Sequence, residues 1–223
     1  MPSRFRYRPP MLFNIHKSLT EYRMEAVKAF IDHSQSGMQT MLEEFSAEFD
    51  RTTSGWSQEL INDYADHIYD DIAMIRDESP ELLRHAQCMI IYGTFEHAIV
   101  NLCRAIHRDQ KAPAPSKRIA YMDDVRGYLK PLVKSSAFGS EWQWMHELRI
   151  IRNWMAHNGG KAQVDSQPGG NWMKAKTFRR RNHGLIAFSH HGDITITNAF
   201  VDRAHEKATA AIAKLHKAVG RRY

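Results

Sequence analysis

Residues 142–160, WQWMHELRIIRNWMAHNGG, gather two arginines, two asparagines and two histidines into one short stretch. Wound at about 100° per residue, a helix here aligns Trp144, Leu148, Ile151 and Met155 in a narrow apolar stripe. That stripe must face a core. Arg149, Asn153 and His157 fall roughly opposite it, within about 80° of one another. His146 joins them one turn earlier, and Arg152 sits on the flank between the two faces. A fixed cation, an amide and an imidazole together suit a phosphodiester. Arginine stabilises a crowded pentavalent phosphate through paired, charge-assisted hydrogen bonds. Imidazole, titrating near neutrality, takes the proton from a ribose 2′-hydroxyl or gives one to the leaving 5′-oxygen. Asparagine orients either group. Such a transesterification calls for no metal and no cofactor. A plain solvated helix face has the same residue types, so spacing alone leaves both readings open.

The elements that position this stretch are helical. Ala26, Val27, Phe30, Met38, Met41, Leu42, Phe45 and Phe49 recur at threes and fours, which predicts one helix or two over about 18–50, with Gly37 a point of kinking. A break over Thr52–Gly55 precedes a helix near 57–77 capped by Ser57, apolar through Leu60, Tyr64, Ile68, Ile72 and Ile75. Ser79-Pro80-Glu81-Leu82 predicts a fresh start, with Ser79 as cap and Pro80 in the first turn. The helix from 80 to about 109 is apolar around much of its circumference, the mark of a central bundle helix. Shorter helices are expected near 119–134 and 141–157. Alternation over Leu185–Ser189 and Asp193–Thr197, around His190-His191-Gly192, predicts a β-hairpin. Thr197 or Asn198 then caps a last helix bearing Phe200, Ala204, Ala208, Ala211, Ile212, Leu215 and Val219 on one face.

The expected architecture is therefore all-α, a single domain over 1–223 with a small β-hairpin inserted before the C-terminal helix. A flexible basic arm covers 1–15, the helical bundle 15–158, a Gly-rich basic loop and the hairpin 159–197, and the terminal helix 198–219.

The 223 residues are 43% hydrophobic and 25% charged, enough for a core without disulfide or metal staples. No run approaches the roughly 18 apolar residues of a membrane span. Cys88 and Cys103 lie in an apolar helical stretch and read as buried thiols, which points to a reducing compartment, the cytoplasm. The net charge of +6 is unevenly divided. Residues 1–110 hold 11 Lys/Arg against 17 Asp/Glu, and residues 111–223 hold 20 against 8. A basic half of this size suits a polyanion, whether nucleic acid or an acidic protein face. Lys174, Lys176, Arg179, Arg180 and Arg181 form the densest basic stretch and are candidates for phosphate-backbone binding, or for ion pairing to the acidic helix. Trp172 and Phe178 could stack bases, though packing on the hairpin is the stronger reading. Asp63, His67, Asp70 and Asp71 share a helix face at metal-ligand spacing, but a lone acidic face is far more often solvated.

Arg152-Asn153-Trp154-Met155-Ala156-His157 resembles the R-N-x-x-x-H signature of the HEPN superfamily of helical nucleotide-binding and ribonuclease domains. Tyr92–Arg104, YGTFEHAIVNLCR, is similar to the central helix of those proteins, and the likeness covers about 80–160. The resemblance implies a homodimer whose arginines and histidines meet across the interface to form a metal-independent endoribonuclease site. Arg152 and His157 inherit those roles, and Asn153 inherits the positioning role. Glu96, Arg149 and His146 would support them. RNA is the implied substrate, and an antitoxin or antiviral-defence partner is the implied context. One toxin branch carries a modified Tyr two residues past the His; Gly159 stands there, so that regulation does not carry over. Some such domains do not cleave, which leaves a non-catalytic module binding nucleic acid or a partner protein as the alternative.

Overall fold

A computed structural model describes residues 11–110, 115, 118–163 and 170–220. Helix α1, Met11–Thr53, runs 43 residues without interruption through Gly37. It takes in residues 11–15, assigned from the sequence to the arm; the rest of that arm lies outside the described residues. Phe13, Met24, Val27 and Ile31 bury the first half of α1. Past Ile31 no residue of α1 is buried until Thr53.

After the expected break, Ser57 caps α2, Gln58–His67, by accepting from the Leu60 N–H at 3.4 Å. The single helix expected over 57–77 is divided. Ile68, at φ −104° and ψ 20°, ends α2 and precedes α3, Tyr69–Ala73. A π-helical turn, Met74–Glu78, then runs straight into α4, Ser79–Gln110. Ser79 is itself helical, at φ −62° and ψ −42°, so it is not the N-cap that the Ser-Pro pair predicts. Its N–H reaches back five residues to the Met74 carbonyl, and this widened turn admits Pro80, which has no N–H and whose ring crowds the preceding turn. Neither α2 nor α3 contains a buried residue.

Helix α4 packs against α1, against α5 (Met122–Leu129), against α6 (Ser140–His157) and against α8 (Asn198–Gly220). Ile91, Tyr92, Phe95, Ile99, Leu102 and Ile106 of α4 are all within 1% of full burial, the central role its composition predicts. Helix α5 is shorter than the expected 119–134. It ends at Leu129, two residues before Pro131, which cannot carry the hydrogen-bond ladder onward. Trp142, Phe95 and Phe138 interlock on one side of α6, with ring centroids 5.0–6.0 Å apart, and Trp144, Phe178 and Phe200 interlock on another at 5.1–6.1 Å.

The basic stretch expected as loop is helix α7, Asn171–Arg181. Ala175 and Phe178, three apart, are 1% and 0% exposed, and their burial fixes the helical register. Strands β1, Ile186–Phe188, and β2, Ile194–Ile196, pair antiparallel with Ile186 opposite Ile196. The intervening turn closes through Gly192 N–H to the Ser189 carbonyl at 3.0 Å. Thr197 caps α8, its hydroxyl accepting from Phe200 N–H at 3.2 Å. Among the described residues no helix is long and apolar enough to cross a membrane.

Candidate functional site

Helix α6 buries a wider face than one stripe. Trp142, Trp144, Met145, Leu148, Ile150, Ile151, Trp154 and Met155 are all buried, leaving a narrow polar edge. Arg149 and Arg152 are half-buried along that edge, while Asn153 and His157 are exposed. Arg152 Nη1 donates to Asn153 Oδ1 at 3.0 Å, and its guanidinium carbon lies 5.4 Å from the ring centroid of Tyr92 on α4. A guanidinium over a ring face is held by the ring quadrupole without losing its donors. Arg152 Nε is buried with no acceptor among the described residues. A buried N–H without an acceptor costs about 1–3 kcal/mol, so the position favours whatever brings an oxygen to it.

These groups open onto a cleft of about 260 Å³, lined by Arg149, Arg152 and Asn153 of α6, Tyr92 and Glu96 of α4, and Tyr121 before α5. Burial pushes the Glu96 carboxyl above its usual range, against the pull of the Arg152 and Arg149 charges. No contact of ion-pair length joins Glu96 to either arginine among the described residues, so its support of the site is through charge alone. The ion pair in this corner belongs to Asp123, which accepts from Arg149 Nη1 at 3.0 Å and lies 3.4 Å from His146 Nε2. Burial raises the Asp123 carboxyl, but the Arg149 hydrogen bond and charge more than offset this and leave it below its usual range. Burial, then the Arg149 charge, lowers the His146 imidazole, which is therefore neutral at neutral pH. Tyr92, Tyr121 and Asp123 were not identifiable from the sequence. Tyr92 stands four residues before Glu96 and so on its face, whereas nothing in the sequence marks Asp123, 26 residues before Arg149.

His157 ends α6 outside this cleft. Five residues from Arg152, it is rotated by about 140° around the helix. One chain therefore does not turn the two side chains toward a common point. Beyond it the chain turns through Gly159 and Gly160, both at positive φ, and Gly160 is pinned by its carbonyl accepting from Ile194 N–H at 2.9 Å. A Cβ on Gly160 would stand 3.2 Å from the buried His85 ring, whose Nε2–H donates to the Ile194 carbonyl at 2.9 Å. The end of α6 that bears His157 is thus fixed to the hairpin.

The α7 cations are largely engaged in structure. Arg181 pairs with Glu147 of α6, not with the acidic helix expected from the sequence. Lys176 lies 5.0 Å from the Trp172 ring centroid, and Arg179 lies 6.0 Å from that of Phe188. Trp172 packs on Trp154 and Phe188, and Phe178 is fully buried, as the packing reading requires. Lys174 and Arg180 are exposed. The break at Ile68 takes Asp70 and Asp71 off the helix that carries Asp63 and His67, and no group of three or more His, Cys, Asp or Glu among the described residues is gathered to hold a metal ion. No family model, curated protein or solved structure is significantly similar to the chain.

Proposed function

We propose that the protein is a metal-independent endoribonuclease of the HEPN type, cleaving RNA by 2′-hydroxyl attack at a site shared by two copies of the chain. The observation that carries this reading is the half-buried Arg152, oriented by Asn153 and Tyr92 at the wall of an open cleft. A phosphate in that cleft accepts from the guanidinium, which then stabilises the charge that grows on the phosphorane. Imidazole is suited to moving protons at neutral pH, so the exposed His157 of the second copy takes the 2′-hydroxyl proton. The imidazolium so formed returns that proton, through water, to the departing 5′-oxygen. The products are a 2′,3′-cyclic phosphate and a free 5′-hydroxyl. The rotation of about 140° between Arg152 and His157 supports the shared site, because a two-fold axis brings the face that one chain turns away back toward the other. A role as toxin or antiviral effector, restrained by a partner, belongs to this same reading.

A mixing experiment tests both the chemistry and the sharing. The wild type cleaves RNA in excess EDTA and leaves 2′-deoxy substrate intact, and Arg152→Ala and His157→Ala are each inactive. Re-associated together, the two inactive variants regain about a quarter of wild-type activity, since half the dimers are mixed and each mixed dimer holds one intact site. Undiminished cleavage by His157→Ala overturns the mechanism, and absence of any recovery overturns the sharing. One observation favours a non-catalytic binding module instead: no described residue holds the His157 imidazole. That reading expects RNA retention sensitive to Arg152→Ala without product.

A further inference from the structure

A second cleft, of about 320 Å³, opens between α1 and α4, lined by Arg23 on one side and Arg104 and Arg108 on the other. No Asp or Glu lines it, and none of the three arginines forms an ion pair among the described residues. Arg104 donates to Asn101 Oδ1 at 2.9 Å, which orients the guanidinium without neutralising it. Arg104 and Arg108, four apart, stand on one face about 6 Å apart along the axis. Three exposed guanidiniums spaced along one groove, with no ion-pair partner among the described residues, give it a positive field that an extended anion offsets. Along the α1 wall Leu12, Ile15 and Leu19 are 41–53% exposed, an apolar shelf.

The floor is rigid. His16 of α1 donates from Nε2 to the Ala98 carbonyl of α4 at 3.0 Å, tying the two walls together. The cleft lies on the opposite face of α4 from the Arg152 site. Tyr92 and Glu96 of α4 face that site, while Thr94, Ala98 and Asn101 of the same helix face this one.

We infer that the α1–α4 groove tracks the phosphate backbone of single-stranded nucleic acid. The proposal rests on the nuclease reading for its substrate, but its test does not need cleavage. Cationic side chains arranged in line, beside a shelf that takes sugars and base edges by apolar contact, bind a strand of any sequence and do not distinguish ribose from deoxyribose. The groove is built from the half of the chain whose net charge is negative, so the sum over that half conceals it.

The experiment uses the full chain and a fluorescent single-stranded DNA 20-mer, which 2′-hydroxyl attack cannot cut, with anisotropy measured from 50 to 300 mM salt. The triple variant Arg23→Gln, Arg104→Gln, Arg108→Gln should bind about tenfold or more weakly at low salt. Its plot of log affinity against log salt should flatten by about 2, near 0.7 for each single-strand phosphate that is no longer neutralised. The corresponding triple Lys variant should keep the wild-type slope, because the point charges remain. Affinity within twofold and an unchanged slope in the Gln variant overturn the inference. So does an equal loss in the Lys variant, which marks a structural role. Binding of AMP or inorganic phosphate as tight as that of the 20-mer also overturns it, since that describes a small-anion site. Failure of the nuclease reading is registered separately, by His157→Ala cleaving RNA like wild type.

Discussion

A buried histidine, His216, paired with the half-buried His16, makes the stability of the fold depend on pH in a calculable way. His216 of α8 is 5% exposed, and its Nε2 lies 3.3 Å from His16 Nδ1. His16 Nε2 is occupied by the Ala98 carbonyl at 3.0 Å, so its proton sits there and Nδ1 accepts from His216. A further proton on either ring puts two donors face to face or strands a charge among Phe13 and the surrounding apolar side chains. Burial, with the His16 and Lys17 charges adding to it, lowers the His216 imidazole from its ordinary 6.5 to about 3. Burial lowers His16 as well, against the pull of its Ala98 hydrogen bond and with help from the Arg23 and His97 charges.

The sign follows from proton linkage. Between pH 6.5 and 3 the unfolded chain binds a proton at His216 that the folded chain refuses, so stability is full above 6.5 and falls as the solution is acidified. Over the 1.5 units from 6.5 to pH 5 the loss is about 2 kcal/mol from His216, at about 1.4 kcal/mol per unit. For a chain of this size that corresponds to a fall in Tm of about 4–8 °C. The carboxyls held low by ion pairs, Asp123 and Glu141, lose their contribution only at lower pH, and Glu96, held high, works in the opposite sense. The difference between wild type and a His216 variant over pH 7 to 5 therefore isolates this imidazole from Glu96 and the other histidines. Urea denaturation of wild type and His216→Leu, followed by circular dichroism at pH 5, 6 and 7, is the assay. The Leu variant should lose about 2 kcal/mol less than wild type on going from pH 7 to 5, whatever its stability at pH 7. Parallel losses in the two proteins would refute a neutral, buried His216.

Gly160→Ala should destabilise the fold by about 1–3 kcal/mol in thermal melts, because alanine meets both the left-handed φ of 79° and the His85 ring at 3.2 Å. Gly159→Ala, at φ 58° with open space around it, should cost less. Asn182→Ala removes the acceptor of the buried Trp144 Nε1–H at 3.2 Å and the donor to the Phe178 carbonyl at 2.8 Å. A loss of about 1–3 kcal/mol is expected, read as a lower urea midpoint. Burial pushes the Cys88 and Cys103 thiols up to about 12, so a thiol reagent at pH 8 should label neither until the protein unfolds.

Helical periodicity located most of the elements because burial and the 3.6-residue repeat are one fact seen from two sides. The apolar girth of α4 placed it at the centre, and Ser57 and Thr197 were legible as caps because an N-cap is a property of a few neighbouring residues. The failures share a cause. Ser79-Pro80 is a start signal locally, but the packing of α4 and the preceding π turn carry the helix through it. The triple arginine and flanking glycines of 159–184 suggested loop, while two buried residues, Ala175 and Phe178, sufficed to hold a helix against α6. At the site, the wheel turned Asn153 and His157 outward correctly. It could not supply Asp123 or the Tyr92 ring, which reach Arg149 and Arg152 from other helices.

Charge sorts in this molecule by position in space and not by sequence half. Residues 43–78 contain 11 of the 17 acidic residues of the first 110 and only two arginines. Those acids fall on the distal part of α1 and on α2, α3 and the π turn, where α2 and α3 bury nothing. With that segment set aside, the rest of the N-terminal half is net +3. A polyanion approaching the body through the field of such a chain is repelled by the acidic segment and attracted along α4, where the Arg23–Arg104–Arg108 groove and the Arg152 cleft lie on either side of one helix. Net charge alone was a poor guide for the same reason: apart from direct pairs such as Arg149–Asp123 and Arg181–Glu147, exposed charges at physiological ionic strength are screened beyond about 8 Å and so do not cancel at a distance.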